Sequence, residues 1–280
     1  MMGRMATSLT RTIPLSQLFA RWWHASWHVV RLGAKVLVLA LSPSSWRQPH
    51  WPAMARHLVQ ASVPLAFWFA VVSALLSVVI IRIVLVTAQS YGLSQYALEM
   101  VVRVLVLELI PLIAAMFVAL RVTLPAAAEL AVLRERGALA APGSVAGAGA
   151  RPLPADVLQA QVLPRAVAGM FAVGLLAALA CVLCLVLAYL LAFGVSPWGL
   201  GRYTRLVGSV FTPAVTLIFT LKTLAFALVV SLIPIGSALH DRPYAGAGAS
   251  GPVSVELQGL VRMFLALLVV EIASLMGNYY

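Results

Sequence analysis

The sequence predicts an all-α integral membrane protein, with an N-terminal interfacial amphipathic helix followed by five transmembrane helices. Three observations carry this. The chain has 280 residues, of which 62% are hydrophobic and only 10% charged, a balance far from that of soluble domains. Five apolar runs, near 64–86, 99–121, 166–194, 213–237 and 257–277, reach the about 20 residues that cross a bilayer. The formal charge of +11 comes from basic residues that flank these runs. Anionic headgroups are therefore the expected counter-charge, and no nucleic-acid partner is expected.

Residues 1–62 form a basic N-terminal arm and residues 63–280 the five-span domain. No cleavable signal is expected, because the first roughly 35 residues already hold five basic groups, too long an n-region. Within 15–41 the positions divide into two faces. Arg21, His24, His28, Arg31 and Lys35 make one polar stripe, and Trp23, Trp27, Val30, Ala34, Leu37 and Leu41 make an apolar one. That is the pattern of a helix lying in the interface. A sixth span here would bury Arg31 and Lys35 at about 2.5–3.5 kcal/mol each near the bilayer centre. Residues 42–62, rich in Ser, Pro and Trp, read as a connector.

The first span carries Arg82 near its end, placed either to snorkel or to pair with an acid on the next helix. The second opens with Glu99 and Arg103 at helical i,i+4 spacing, then carries Glu108 and Pro111. Pro111 removes a backbone donor and crowds the carbonyl four residues back, so a kink is expected near Leu107–Pro111. The span surfaces at Arg121, and Thr123-Leu124-Pro125 reads as a helix restart. A short charged helix follows, near 125–139. Residues 140–154 and 194–208 read as Gly/Pro-containing loops. Cys181 and Cys184 sit mid-span and read as small apolar residues rather than a redox or metal pair. The fourth span holds Lys222 and the fifth Glu271.

Orientation follows the short flanks. Residues 1–62 hold seven Lys/Arg and no acid, residues 121–165 hold five Arg, and 87–98 hold none. The N-terminus and the 121–165 segment are expected in the cytoplasm and the C-terminus on the other side.

No phosphate loop, zinc motif or nucleophile motif is visible, so neither an ATPase site, a bound cofactor nor a metal is expected in this chain. Charge inside apolar spans is what stands out: Glu108, Lys222 and Glu271. Intramembrane ionisable residues usually face a bundle interior, a cavity or one another. Glu108 and Lys222 lie at similar depth, Glu271 somewhat shallower, and the three are expected to group. They serve either as a register-fixing ion cluster or as the border of a substrate path. A purely structural Glu108–Lys222 pair is expected to tolerate a charge swap.

The stretch Leu105–Leu139 carries a family resemblance. Its pattern L-x-x-E-L-x-P-x-x-x-A, then Arg121 and Ala126-Ala127-Ala128-Glu129-Leu130, resembles the MlaE permeases. Leu163-Pro164-Arg165 and Leu221-Lys222 are similar to further family positions, as is Glu271 when Gly251 is aligned with the glycine before the last span. The chain departs from the family pattern at Leu107, Ile110, Arg136-Gly137-Ala138 and 254–258. The resemblance implies the permease subunit of an ABC transporter moving phospholipid or a related lipid between the inner and outer membranes of a Gram-negative bacterium. It implies a homodimer in the inner membrane, a separate cytoplasmic ATPase that binds the ATP, and a periplasmic MCE-domain protein. Glu108, Lys222, Glu271 and Pro111 then border the lipid pathway, while Glu129, Arg134, Glu135 and Arg136 face the ATPase, with Leu130 and Leu133 facing the membrane helices. A non-transporting membrane scaffold is the alternative. A secondary transporter is disfavoured, because no two related halves with matching interrupted spans are visible.

Overall fold

Prolines and the register changes beside them shape this bundle. The computed structural model describes residues 31, 33, 34, 38, 51–136, 161–240 and 253–279. All the regular structure among them is helical, and five helices are long and apolar enough to cross a membrane. The interfacial helix expected at 15–41 lies outside the described residues except for Arg31, Gly33, Ala34 and Val38, which are helical. Gly33 lies against Leu232, at the same end of the bundle as the charged segment near 130.

The first span is α1 (Trp51–Ser90). It begins inside the segment read as a connector, which is thus shorter than expected. Pro52 sits in the first turn, where a missing N–H breaks no intrahelical bond. Its counterpart across the tight turn at Tyr91-Gly92 is one unbroken helical path. This runs through α2 (Ser94–Met100), a π segment (Val101–Leu109), α3 (Ile110–Val118), a second π segment (Ala119–Thr123) and α4 (Leu124–Glu135). The break expected at Thr123–Pro125 is absent: Thr123 and Leu124 both keep right-handed helical dihedrals. The reason lies in the register. Pro111 and Pro125 each follow the last residue of a π segment by two positions. The wider turn absorbs the missing proline donor that would otherwise bend or end the helix. Gln161 and Val162 form a π turn in the same place before Pro164.

The third span, α5 (Leu163–Phe193), stops at Gly194, whose φ of 68° an L side chain resists. The segment read as a loop at 194–208 is largely helical. A short 3-10 turn at Pro197–Gly199 leads into α6 (Leu200–Val210), which turns Tyr203 and Val210 inward. The Tyr203 hydroxyl donates to the Leu185 carbonyl at 2.8 Å, holding α6 on the end of α5. The fourth and fifth spans are α7 (Pro213–His240) and α8 (Val253–Tyr279).

Contacts order the spans as a row, α1 on α5, α5 on α7, α7 on α8, with the second span lying across α5 and α7. Small residues permit the close approach: Ala114, Ala115, Ala172, Ala177 and Ala180 are all buried in the main core. Gly169 marks one tight crossing. A Cβ there would lie 2.7 Å from Ser231 Oγ and 2.9 Å from Thr123 Cγ2. Gly169→Val is therefore expected to destabilise the detergent-solubilised protein by about 1–3 kcal/mol, as overpacking does. Gly174→Ala, with open space beside it, is expected to leave the thermal midpoint unchanged or raise it. Thermal unfolding followed by size-exclusion chromatography checks both.

Candidate functional site

Three of the sequence-predicted charges meet in one buried cluster. Lys222 of α7 is 3% exposed. Its ammonium pairs with the Glu108 carboxylate and, at 2.9 Å, with Glu271 Oε2 of α8. It also donates to the Leu107 carbonyl at 3.4 Å and stands 5.6 Å from the ring centroid of buried Phe226. Spans two, four and five are thereby joined at one point.

The local backbone explains why a lysine fits here. In α-helical register the Leu107 carbonyl would receive the N–H of residue 111, and in π register the Val106 carbonyl would receive the same N–H. Residue 111 is proline and has none. Two side chains from other helices supply donors instead. Lys222 Nζ serves Leu107, and the Cys181 thiol reaches the Val106 carbonyl at 3.9 Å. Pro111 itself is buried beside the cluster. Its contribution is therefore a pair of exposed carbonyls as well as the change of register.

The Leu107 carbonyl makes the site asymmetric, and this alters what a charge swap reports. With a carboxylate at 222, two acceptors would face each other in a dry site, so even a purely structural pair is expected to fail on swapping. Cys181 was invisible as a polar participant in the sequence, because nothing local links position 181 to Pro111. Cys184 is buried in the main core, as a small apolar residue would be.

The expected cytoplasmic face is divided by the structure. Leu130 is fully buried with Val162, Leu163, Ala166, Leu232 and Ile235, and Leu133 packs on that cluster. Arg134 turns inward, its guanidinium donating to the Ala238 carbonyl at 3.1 Å near the end of α7. Cations are favourable there because the last carbonyls of a helix lack intrahelical donors. Arg134 is thus a tie between α4 and α7 rather than part of an open polar face. Glu129 is exposed and meets Arg165 at 3.4 Å, while Arg165 also donates to Gln161 Oε1 at 2.8 Å. Arg136 is exposed, and the side chain of Glu135 lies outside the described residues. Glu99 and Arg103 pair at 3.0 Å as their spacing predicts.

The family profile of the permease MlaE matches residues 54–276. The chain belongs to the MlaE permease family. It is a multi-pass membrane protein of a family of ABC-type lipid-transport permeases. The match includes the whole ion cluster and α4, and excludes most of the N-terminal arm. A comparison with curated proteins gives no match.

Removing one member of a buried ion pair leaves the rest uncompensated, at about 3–5 kcal/mol. Lys222→Met is therefore expected to lower the thermal midpoint sharply. Combining it with Glu108→Gln and Glu271→Gln is expected to recover most of the loss. Intrinsic tryptophan fluorescence during heating in detergent checks both outcomes.

Proposed function

We propose that this chain is the membrane subunit of an ABC transporter that moves phospholipid or a related lipid between the inner and outer membranes of a Gram-negative bacterium. A separate cytoplasmic ATPase drives it by docking against α4. A periplasmic MCE-domain protein receives or delivers the lipid, and two copies of the chain form the permease. One observation supports this reading above others. The helical path from Ser94 to Glu135 joins the buried charge at Glu108 to the exposed charged end at Glu129 and Arg136 without a break. A scaffold has no need to connect a buried polar centre to a docking knob.

On this reading work enters at α4 and reaches the bundle by two routes. One is the second span itself. The other is α7, gripped through Leu130, Leu232, Leu239 and the Arg134 contact with Ala238. Both routes end at the same ion pair, because α7 carries Lys222 and the second span carries Glu108. The Glu129–Arg165 pair adds a tie to the start of α5. A lipid passing near the cluster finds apolar walls and a few fixed charges, the combination a headgroup and two acyl chains require.

The test is ATP-dependent lipid transfer between reconstituted vesicles, with the co-expressed ATPase and MCE-domain protein present. Transfer is expected for the native chain. Its absence from a correctly assembled complex would leave the scaffold reading in place. A cysteine at position 136 is expected to cross-link to the ATPase, whereas one at 134, held against α7, is expected to react poorly. Arg134→Ala is expected to leave ATP hydrolysis largely intact while reducing transfer by about tenfold, the effect of losing one charged hydrogen bond of about 1.5 kcal/mol.

A further inference from the structure

Arg82 lies on the surface of α1 within a membrane-spanning segment and has no acidic partner among the described residues. Its neighbours along the same exposed stripe are Leu75, Val79 and Val86, at spacings of four, three and four. That spacing keeps the four side chains on one face of the helix. A stripe facing only lipid gains nothing from an arginine, because an ionised side chain in the apolar layer is costly. Snorkelling lessens that penalty but leaves the stripe unexplained.

A matching stripe exists on α8. Leu265, Leu268, Ile272 and Leu275 are exposed at spacings of three, four and three. Glu271 borders it. This carboxylate shares a single ammonium, Lys222, with Glu108, and its side chain remains 19% exposed at the protein surface. Depth agrees as well. Arg82 is eight residues from Ser90 at the end of α1, and Glu271 is eight residues from Tyr279 at the end of α8. Both helix ends lie on the same side of the bundle, since α1 and α8 each traverse it in the same direction. At 1.5 Å per residue each charge sits about 12 Å along its helix.

We propose that Arg82 of one copy of this chain completes the charge cluster of a second copy by pairing with its Glu271 across an α1–α8 seam. Because α1 and α8 stand at the two ends of the row of spans, two copies related by a twofold axis meet at two equivalent seams and enclose a space between them. Each seam buries an apolar 3.5-period face on both sides and brings a guanidinium to the shared carboxylate. Planar, bidentate pairing suits Arg at such a position better than Lys. The inference rests on the dimer of the proposed function and adds to it a partner residue for each buried cluster.

The experiment uses two differently tagged full-length copies expressed together in membranes, one with Val79→Cys and the other with Leu268→Cys, each three residues before the charge on its own helix. Copper-catalysed oxidation is expected to join the two tags. The native Cys181 and Cys184 alone serve as the blank. Arg82→Leu in the first copy is expected to reduce the mixed cross-link by about tenfold, the loss of a charged hydrogen bond of about 1.5 kcal/mol. Arg82→Lys, which keeps the charge but loses the bidentate fork, is expected to retain only part of it. Size-exclusion profiles report whether each variant is folded. Cross-links only between like positions, or a yield unchanged by Arg82→Leu in folded protein, overturn the proposal. Subunit counting by single-molecule photobleaching separates the two failures. A monomer removes the dimer itself, whereas a dimer without the mixed cross-link removes only this seam.

Discussion

Everything near the centre of this protein depends on one buried ammonium having enough acceptors. An unpaired lysine in a dry interior is far too costly to keep charged, so a chain that places one there must surround it. Lys222 is surrounded by two carboxylates, a backbone carbonyl and an aromatic ring, drawn from two other membrane spans and its own helix. Spans two, four and five are therefore fixed against one another at one height. The apolar core supplies most of the packing, but apolar contacts alone are tolerant of sliding in lipid, where they are exchanged for similar contacts with acyl chains. The ion cluster sets register because its groups have no equivalent elsewhere along the helices.

Proline is what makes the backbone part of that cluster. Within a membrane every carbonyl needs a donor, and Pro111 withdraws one from the segment just before it. The chain answers with donors from other helices, Lys222 and Cys181. The defect thus becomes two links between helices. Pro125 and Pro164 stand in the same relation to short π turns at the α4 end of the bundle. At Pro111 and Pro125 the helix continues past a residue that would ordinarily stop it, while Pro164 sits in the first turn of α5.

Much of this was legible in the sequence, for reasons that differ by element. The spans were readable because hydrocarbon thickness imposes a length that composition reveals directly. Glu108, Lys222 and Glu271 were readable as a group because charge in apolar spans is rare and their depths can be counted. The start of α1 at Trp51 and the helix at Leu200–Val210 were misread as connector and loop. Polar, proline-bearing segments next to spans look like loops when only hydropathy is counted, yet Pro in a first turn and an inward Tyr203 are compatible with helix. The continuity of the second span was hidden for a similar reason, since a proline's local effect was counted and the π register that absorbs it was not. Arg134 illustrates a different limit. Its position on the charged helix was clear, but its turn toward Ala238 depends on where a helix about a hundred residues later ends.

On the function proposed above, the two ties at α4 bear on how a soluble partner moves the membrane bundle. A knob connected only through the second span would transmit a push along one helix, and that helix contains two π segments where register can change cheaply. A knob connected also to α7 closes a loop. Displacement of α4 then acts on Glu108 through one arm and on Lys222 through the other, and the ion pair between them resists any difference between the two arms. Small relative shifts are absorbed by the π segments, while larger ones must carry both helices together or break a buried charge pair. The geometry therefore favours motion of the second and fourth spans as a unit, hinged against α1 and α5 at small-residue crossings such as Gly169.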